Sequence, residues 1–453
     1  MGKYFGTDGI RGVANTELTA DLAYRTGFAL GCRLETELQR RPRVLVGRDT
    51  RISGSMLEAA LTAGLCAAGS DVISLGVLPT PAVARATVAD PDACAGIVIS
   101  ASHNPFEHNG IKIFGGDGYK LTDGQEAAIE AAIDAPDASR VKTFGAIGQV
   151  LQAERDPMQD YCDFVAATVP AGLQGLRVLV DCANGAASAT AKRIFSLLGA
   201  QAEFLACDPD GVNINVNCGS THPTALCRGV VEGGYGVGVA FDGDADRCLV
   251  VDERGEMIDG DHLVGLLAAY MQAQGTLKKG AVGTILSNLG LHSFLKNRGI
   301  EIATSNVGDR YVLEKMRAEG HNIGGEQSGH VILSDYATTG DGQLTAVQFL
   351  RLLLESGQKA SDLAAQVETF PQCTINVDVP NALKHRVAEL PCVQEIREKI
   401  AGIFGSEGRI IIRPSGTEPK VRVMVEGREE APVRAMAREA ADVIADAVKS
   451  LHN

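Results

Sequence analysis

The stretch Gly96-Ile97-Val98-Ile99-Ser100-Ala101-Ser102-His103-Asn104-Pro105 reads as a strand running directly into a tight loop. The apolar run from Gly96 to Ile99 suits the interior of a parallel sheet, where both faces are buried and no polar alternation is needed. Small and turn-forming residues follow, and Pro105 steers Asn104 away from helical angles. Ser102 is therefore expected on a loop at the carboxyl end of a strand, the edge at which α/β sheets bind ligands. A serine in such a place is ordinarily a turn residue. Its company argues for more, because His103, Asn104, His108, Asn109 and Lys112 follow within a few positions. No Gly-x-Ser-x-Gly surrounds Ser102, which excludes a hydrolase elbow. Neighbouring loop side chains commonly diverge, so His103 is not taken as the base for Ser102.

Outward from this stretch one unit recurs. A helical pattern begins at Ala20, with Ala23, Leu30 and Leu34 on one face, and Arg43 to Gly47 is a strand. Leu57, Leu61, Gly64, Leu65 and Ala68 mark a second helix, and Val72 to Leu75 a further strand. Such alternation predicts a parallel sheet. Leu176 to Asp181 opens a second copy, with a turn at Asn184-Gly185 and a helix from Ala187 to Leu198. Ala281 to Leu286 opens a third, followed by Ser287-Asn288 and a helix from Leu291. The tail differs: Thr374 to Val379, Arg409 to Arg413 and Val421 to Val425 read as strands, ahead of a final helix carrying Val433, Met436, Ala440, Val443, Ile444, Ala447 and Leu451. The expected fold class is α/β, with three similar α/β domains of mixed, mostly parallel sheets over residues 1–153, 154–255 and 256–370. A smaller C-terminal α+β domain is expected over residues 371–453.

A chain of 453 residues exceeds what one hydrophobic core serves, in keeping with several domains. Hydrophobic residues at 45% and charged residues at 22% describe a globular chain and not a disordered one. The net charge of −14 disfavours broad adhesion to nucleic acid or to an anionic membrane, so a phosphate site has to be built locally. Eleven cysteines without a Cys-x-x-Cys pair read as reduced thiols of a cytoplasmic protein. The first residues lack the apolar core of a signal peptide, and no stretch is long and apolar enough to cross a bilayer.

A second loop carries metal chemistry. After the apolar run Val237 to Phe241 come Asp242-Gly243-Asp244-Ala245-Asp246-Arg247. Three closely spaced carboxylates repel one another unless a cation sits among them, and oxygen-only donors select a hard ion, magnesium or calcium. An EF-hand is excluded, because its glycine position holds Arg247 and the flanks read as strands. A solvated acidic turn without metal is the alternative. Three ligands on one loop leave positions open for water or phosphate oxygen, as magnesium prefers.

Together with the segments Thr7-Asp8-Gly9-Ile10-Arg11-Gly12, Gly325-Glu326-Gln327-Ser328-Gly329-His330 and Arg413-Pro414-Ser415-Gly416-Thr417-Glu418-Pro419, these loops resemble the α-D-phosphohexomutase family over nearly the whole chain. The resemblance implies a four-domain, heart-shaped enzyme around a central cleft, with Ser102 carrying a phosphate in the active form. It implies that Asp242, Asp244 and Asp246 hold Mg²⁺ together with an oxygen of the Ser102 phosphate. By the same resemblance Lys112 is a candidate general base, His330 a candidate acid near the sugar, and Arg11 and Arg247 steady the transferring group. A base at Lys112 requires surroundings that lower its pKa. Glu326 and Ser328 are then expected to bond sugar hydroxyls. Arg413, Ser415, Gly416 and Thr417 offer a guanidinium fork, hydroxyls and backbone N–H groups for the phosphate that is not transferred; by itself that loop reads equally well as an ordinary turn. Arg310 is a further candidate for the phosphate site.

The implied reaction interconverts glucosamine 6-phosphate and glucosamine 1-phosphate through a sugar bisphosphate, feeding UDP-N-acetylglucosamine. Its partner is a small hexosamine phosphate, with no nucleic acid or membrane, and dimers are frequent in the family. Gln327 favours the amino sugar. The alternatives are the same machinery acting on mannose or glucose phosphate, or a non-catalytic protein that binds sugar phosphate or a cation. The presence of both Ser102 and a complete aspartate set speaks against the last.

Overall fold

The computed structural model describes residues 2–6, 8–415 and 419–452. Thr7, Gly416, Thr417 and Glu418, which belong to the motifs above, lie outside the described residues. The chain forms two compact units, residues 1–286 with 298–366 and residues 287–297 with 367–453.

The first unit holds three sheets built on one plan. In each, a central strand pairs in parallel with two neighbours, and the second of these turns back into an antiparallel partner. In the first sheet Arg43–Arg48 lies between Asp71–Val77 and Ala93–Ile99, and Ala93–Ile99 returns as His108–Gly115. In the second, Arg177–Asp181 lies between Gln201–Leu205 and Val237–Phe241, which returns as Cys248–Asp252. In the third, Gly280–Thr284 lies between Glu301–Ser305 and Ile323–Gly325, which returns as Val331–Leu333. The expected threefold repeat is present, and it has a functional consequence. The loops around Ser102, around the aspartates and around Glu326 occupy the same topological place, the carboxyl end of the parallel strand that reverses.

Sequence patterning missed part of the first sheet. Gly9–Val13 is a strand antiparallel to His108–Gly115, and Phe5–Gly6 pairs beyond it. Gly9–Val13 does not alternate clearly, because Arg11 sits on it for a reason other than the core, as Asn109 and Lys112 do on His108–Gly115.

Packing fixes the scaffold behind the Ser102 loop. The helix Ala20–Leu38 begins at Thr19, whose hydroxyl accepts from Leu22 N at 3.1 Å, and packs on Gly54–Ala67. The two helices touch backbone to backbone: a Cβ on Gly27 would lie 2.2 Å from Leu61 O, and one on Gly64 would lie 2.0 Å from Tyr24 O. Leu57, Leu61 and Leu65 are fully buried with Val44, Val46, Ile97 and Ile99. Each such side chain contributes about 1.5–3 kcal/mol by leaving water.

In the second unit Lys420–Gly427 lies between Gln372–Asp378 and Gly408–Pro414, all antiparallel, and the helix Glu430–His452 completes it. Val421, Val423 and Val425 from the central strand meet Val433, Ala437, Ala440 and Ile444 of the helix in one core. The helix Leu289–Asn297, expected with the third repeat, packs in this unit instead. Glu426 accepts from Leu289 N at 2.7 Å, and Asn288 Nδ2 donates to Phe370 O at 2.9 Å.

Candidate active site

Ser102 lies at the carboxyl end of Ala93–Ile99 with a left-handed backbone, φ 53°. An L-residue other than glycine adopts that conformation at a cost, and it persists only where the surroundings impose it. Arg51, fully buried, is the chief cause. Its Nη2 donates to Ser102 O and to Asn104 O, each at 2.8 Å, its Nη1 donates to Pro105 O, and its Nε meets Asp49 Oδ2 at 2.9 Å. Asn215 from the second repeat donates to the same two carbonyls at 2.9 and 3.1 Å. Ser100 Oγ donates to Asp49 Oδ2 at 2.6 Å and accepts from Ser102 N at 2.9 Å.

The serine hydroxyl meets the aspartate loop. Ser102 Oγ donates to Asp242 Oδ2 at 2.5 Å. The close approach needs a residue without a side chain, since a Cβ on Gly243 would lie 2.6 Å from Ser102 O. Asp242, Asp244 and Asp246 are all buried, and each offers an oxygen within 4.8 Å of the others. Burial, with the charges of Asp246 and Asp244 added, pushes the Asp242 carboxyl well above the usual range. Asp244 goes the other way: burial opposes its ionisation, but the Lys112 ammonium and the Thr80 hydroxyl hold its carboxyl below the usual range. Thr80 Oγ1 donates to Asp244 Oδ2 at 2.6 Å and Lys112 Nζ to the same oxygen at 2.8 Å.

The donor set fits a hard cation. All its atoms are carboxylate oxygens, and Asp244 Oδ1 and Asp246 Oδ1 are buried without a hydrogen-bond partner. Buried acceptors left unpaired cost free energy that a divalent ion would recover.

Four cations surround the triad and the motif aspartate. Lys112 Nζ also lies 3.0 Å from Asp8 Oδ2 and 3.4 Å from Asp246 Oδ2. Arg11 and Lys120 both pair with Asp8, and the Arg247 guanidinium stands with Nε 3.8 Å from Asp246 Oδ1 while its backbone N–H donates to Asp242 Oδ1 at 3.2 Å. The expectation of a general base at Lys112 meets the opposite electrostatics. Burial alone would lower its pKa, but Asp244, Asp8 and Asp246 hold the ammonium well above its ordinary value. His103 is no base for Ser102 by geometry either, since its Nδ1 stands 3.4 Å from an Oγ already bonded to Asp242. Burial, with Arg247 and Arg11 nearby, lowers its pKa to about 4.

The sugar-recognition candidates follow the third reversing strand. Glu326 is half-buried, with Oε1 accepting from Gly308 N at 2.9 Å, and Ser328 is exposed. His330 is buried, its Nε2 3.7 Å from Asp309 Oδ2. Gln327 Nε2 donates to Asp259 Oδ2 at 3.1 Å. Arg310 does not present a free fork to phosphate: Asp123 at 2.6 Å, Glu314 at 3.0 Å and Glu126 at 3.6 Å share it.

In the second unit Arg413 and Arg422 stand directly opposite across two antiparallel strands. Burial, together with the charge of Arg422, lowers the Arg413 pKa. Like charges set opposite each other are unfavourable unless an anion joins them. Ser415 is buried, its carbonyl accepting from Lys384 Nζ at 2.6 Å.

Asp49, Arg51, Thr80, Lys120, Asn215, Asp309 and Arg422 carried no motif signal of their own. The run Gly47-Arg48-Asp49-Thr50-Arg51 could have been found, because it places charges at the carboxyl end of the strand Arg43 to Gly47, predicted for the same domain as Ser102.

Models of four phosphoglucomutase/phosphomannomutase domains match the chain in order: domain I over residues 2–140, domain II over 159–255, domain III over 259–370 and the C-terminal domain over 375–443. The chain belongs to this family, the α-D-phosphohexomutases. Within it, the chain is 50% identical to the phosphoglucosamine mutase of Shouchella clausii (strain KSM-K16) over 445 residues, 98% of this chain and 99% of that relative. A phosphoglucomutase/phosphomannomutase family protein of Burkholderia thailandensis superposes with a TM-score of 0.82 at 26% identity, covering 97% of each chain. The Aspergillus fumigatus N-acetylphosphoglucosamine mutase, solved with GlcNAc-6P and magnesium, shares the fold with a TM-score of 0.73 at 17% identity, covering 98% of this chain and 96% of that one.

Proposed function

We propose that the protein is a cytoplasmic isomerase that interconverts glucosamine 6-phosphate and glucosamine 1-phosphate, using a phosphate carried on Ser102, on the way to UDP-N-acetylglucosamine. The observation that carries this reading is the 2.5 Å contact between Ser102 Oγ and Asp242 Oδ2 inside a buried acidic triad. The amino sugar is chosen on the 50% identity to a phosphoglucosamine mutase across the chain.

Ser102 gives its phosphoryl group to one end of the sugar phosphate, producing a bisphosphate, and recovers the other phosphate once the sugar has turned around. Such a transfer depends on alignment and charge neutralisation more than on covalent help from the protein. Arg51 and Asn215 supply alignment by fixing the carbonyls on either side of the serine. Asp242, Asp244 and Asp246 are the residues that would hold Mg²⁺, which when bound draws charge from phosphoryl oxygens. Lys112, Arg11 and Arg247 add positive charge around the same point. His330 serves as the acid near the sugar, and Glu326 and Ser328 take its hydroxyls. Arg413 and Ser415, with Gly416 and Thr417, take the phosphate that stays. The division at residues 153, 255 and 370 assigns one of these loops to each domain.

Steady-state turnover on glucosamine, glucose and mannose 6-phosphates tests the substrate. The expected order places glucosamine 6-phosphate first in kcat/KM. A higher value for glucose or mannose phosphate would reassign the protein within its family.

A further inference from the structure

His330 has neither ring nitrogen in a hydrogen bond, although the ring is buried. One side of it is closed by backbone, for a Cβ on Gly340 would lie 2.4 Å from Nε2. Toward Nε2 stands Asp309 Oδ2 at 3.7 Å. The same Asp309 oxygen bonds Lys120, and the Lys120 ammonium also bonds Asp8 Oδ1. Asp8 in turn is held by Arg11 and Lys112. Lys120 reaches this place because its backbone bridges back to Phe114, at the end of the strand that carries Lys112.

A lone carboxylate beside a buried imidazole would turn freely or seek water. Asp309 is instead anchored by a cation that is 14% exposed and is itself anchored by Asp8. The carboxylate therefore keeps one oxygen facing the ring, the arrangement by which a third group orients a histidine that has to move a proton.

We propose that Lys120 and Asp309 are positioning residues for His330, aligning the imidazole with the sugar; this rests on the assignment of His330 as the acid in the proposed function. Neither residue is asked to touch the substrate. Their effect passes through the ring, so it should vanish when the ring is gone.

The test is a set of full-length variants, Lys120→Met, Asp309→Asn and His330→Asn, with the two doubles that contain His330→Asn, assayed with Mg²⁺ and glucosamine 6-phosphate. Lys120→Met and Asp309→Asn are each expected to lower kcat about tenfold or more while KM moves less than about threefold, the pattern of a lost transition-state interaction. In the His330→Asn background the same substitutions should change kcat by less than about twofold, because coupled residues are not additive. Asp309→Asn keeps the shape of the side chain and carries the test if Lys120→Met fails to fold. Equal losses in both backgrounds, or a kcat within about twofold of wild type in either single variant, would overturn the proposal. Absence of turnover in the wild-type protein would instead strike at the proposed function.

Discussion

The guanidinium of Arg51 donates to the backbone carbonyl of Ser102 at 2.8 Å across fifty-one positions of sequence, with both residues buried. The strained backbone of Ser102 is thus held by a charge on the neighbouring strand's loop, and that charge is balanced by Asp49 at 2.9 Å. Replacing Arg51 by Met leaves Asp49 buried without its counter-charge, takes the donor from Pro105 O and leaves Ser102 O and Asn104 O to Asn215 alone. A loss of about 3–5 kcal/mol of stability is expected, the usual cost of halving a buried ion pair. Chemical denaturation checks it, and a loss under about 1 kcal/mol would show that the loop holds itself.

Asn215→Ala separates alignment from stability. It removes two hydrogen bonds to the Ser102 loop, at 2.9 and 3.1 Å, but no charge. Stability should fall by about 1–3 kcal/mol. The fall in kcat should be larger than the change in KM, because the serine is misdirected and the sugar contacts are untouched. A change confined to KM speaks against the role.

Asp244→Asn is expected to weaken Mg²⁺ binding while the fold persists. The substitution is isosteric and keeps an acceptor for Thr80, now 2.6 Å away, but removes ligand charge at an oxygen with no other partner. Calorimetric titration of Mg²⁺ in the absence of sugar reads this directly. Equal affinity in variant and wild type would remove Asp244 from the ligand set.

Asp341 gives a pH dependence of stability. Burial raises its carboxyl from 3.8 to about 6, despite bonds from Leu344 N and the Tyr161 hydroxyl at 2.8 Å. A folded-state pKa above the unfolded value means a stability contribution that is full below about 3.8 and is lost as pH rises through about 6. Asp341→Asn still caps the helix Gly342–Ser356 and cannot titrate. Stability measured relative to wild type should therefore rise, in favour of the variant, between those two pH values. A difference that stays flat with pH would contradict the assignment.

Arg413→Ala should raise KM for the sugar phosphate with little change in kcat, the mark of binding lost equally in ground and transition states. Inorganic phosphate should raise the melting temperature of the wild-type protein more than that of the variant, since Arg413 faces Arg422 across the sheet. A fall in kcat alone would contradict the role.

Much of this was legible in the chain. Apolar runs such as Gly96 to Ile99 and Val237 to Phe241 are locally determined, so their strands and the reactive loops after them could be placed by pattern. The reversing strand His108–Gly115 was harder, because Asn109 and Lys112 break its alternation to serve the site. Asn215 and Lys120 were not visible at all, and of Arg51 only its place at a strand end could have been read. Their roles depend on which carbonyls and carboxylates the fold sets against them, and no periodicity records that. Lys112 shows the same limit, because the resemblance named it and only the fold sets Asp8, Asp244 and Asp246 around its ammonium.

The central claim is that Ser102 lends and recovers a phosphoryl group. Protein carrying one phosphate on Ser102 should be mixed with glucosamine 6-phosphate, quenched within a single turnover and weighed intact. The account predicts that the phosphate leaves the protein as sugar bisphosphate appears, at least as fast as steady-state turnover, and that Ser102→Ala neither carries phosphate nor turns over. A Ser102 phosphate that stays in place while the sugar is converted would contradict it.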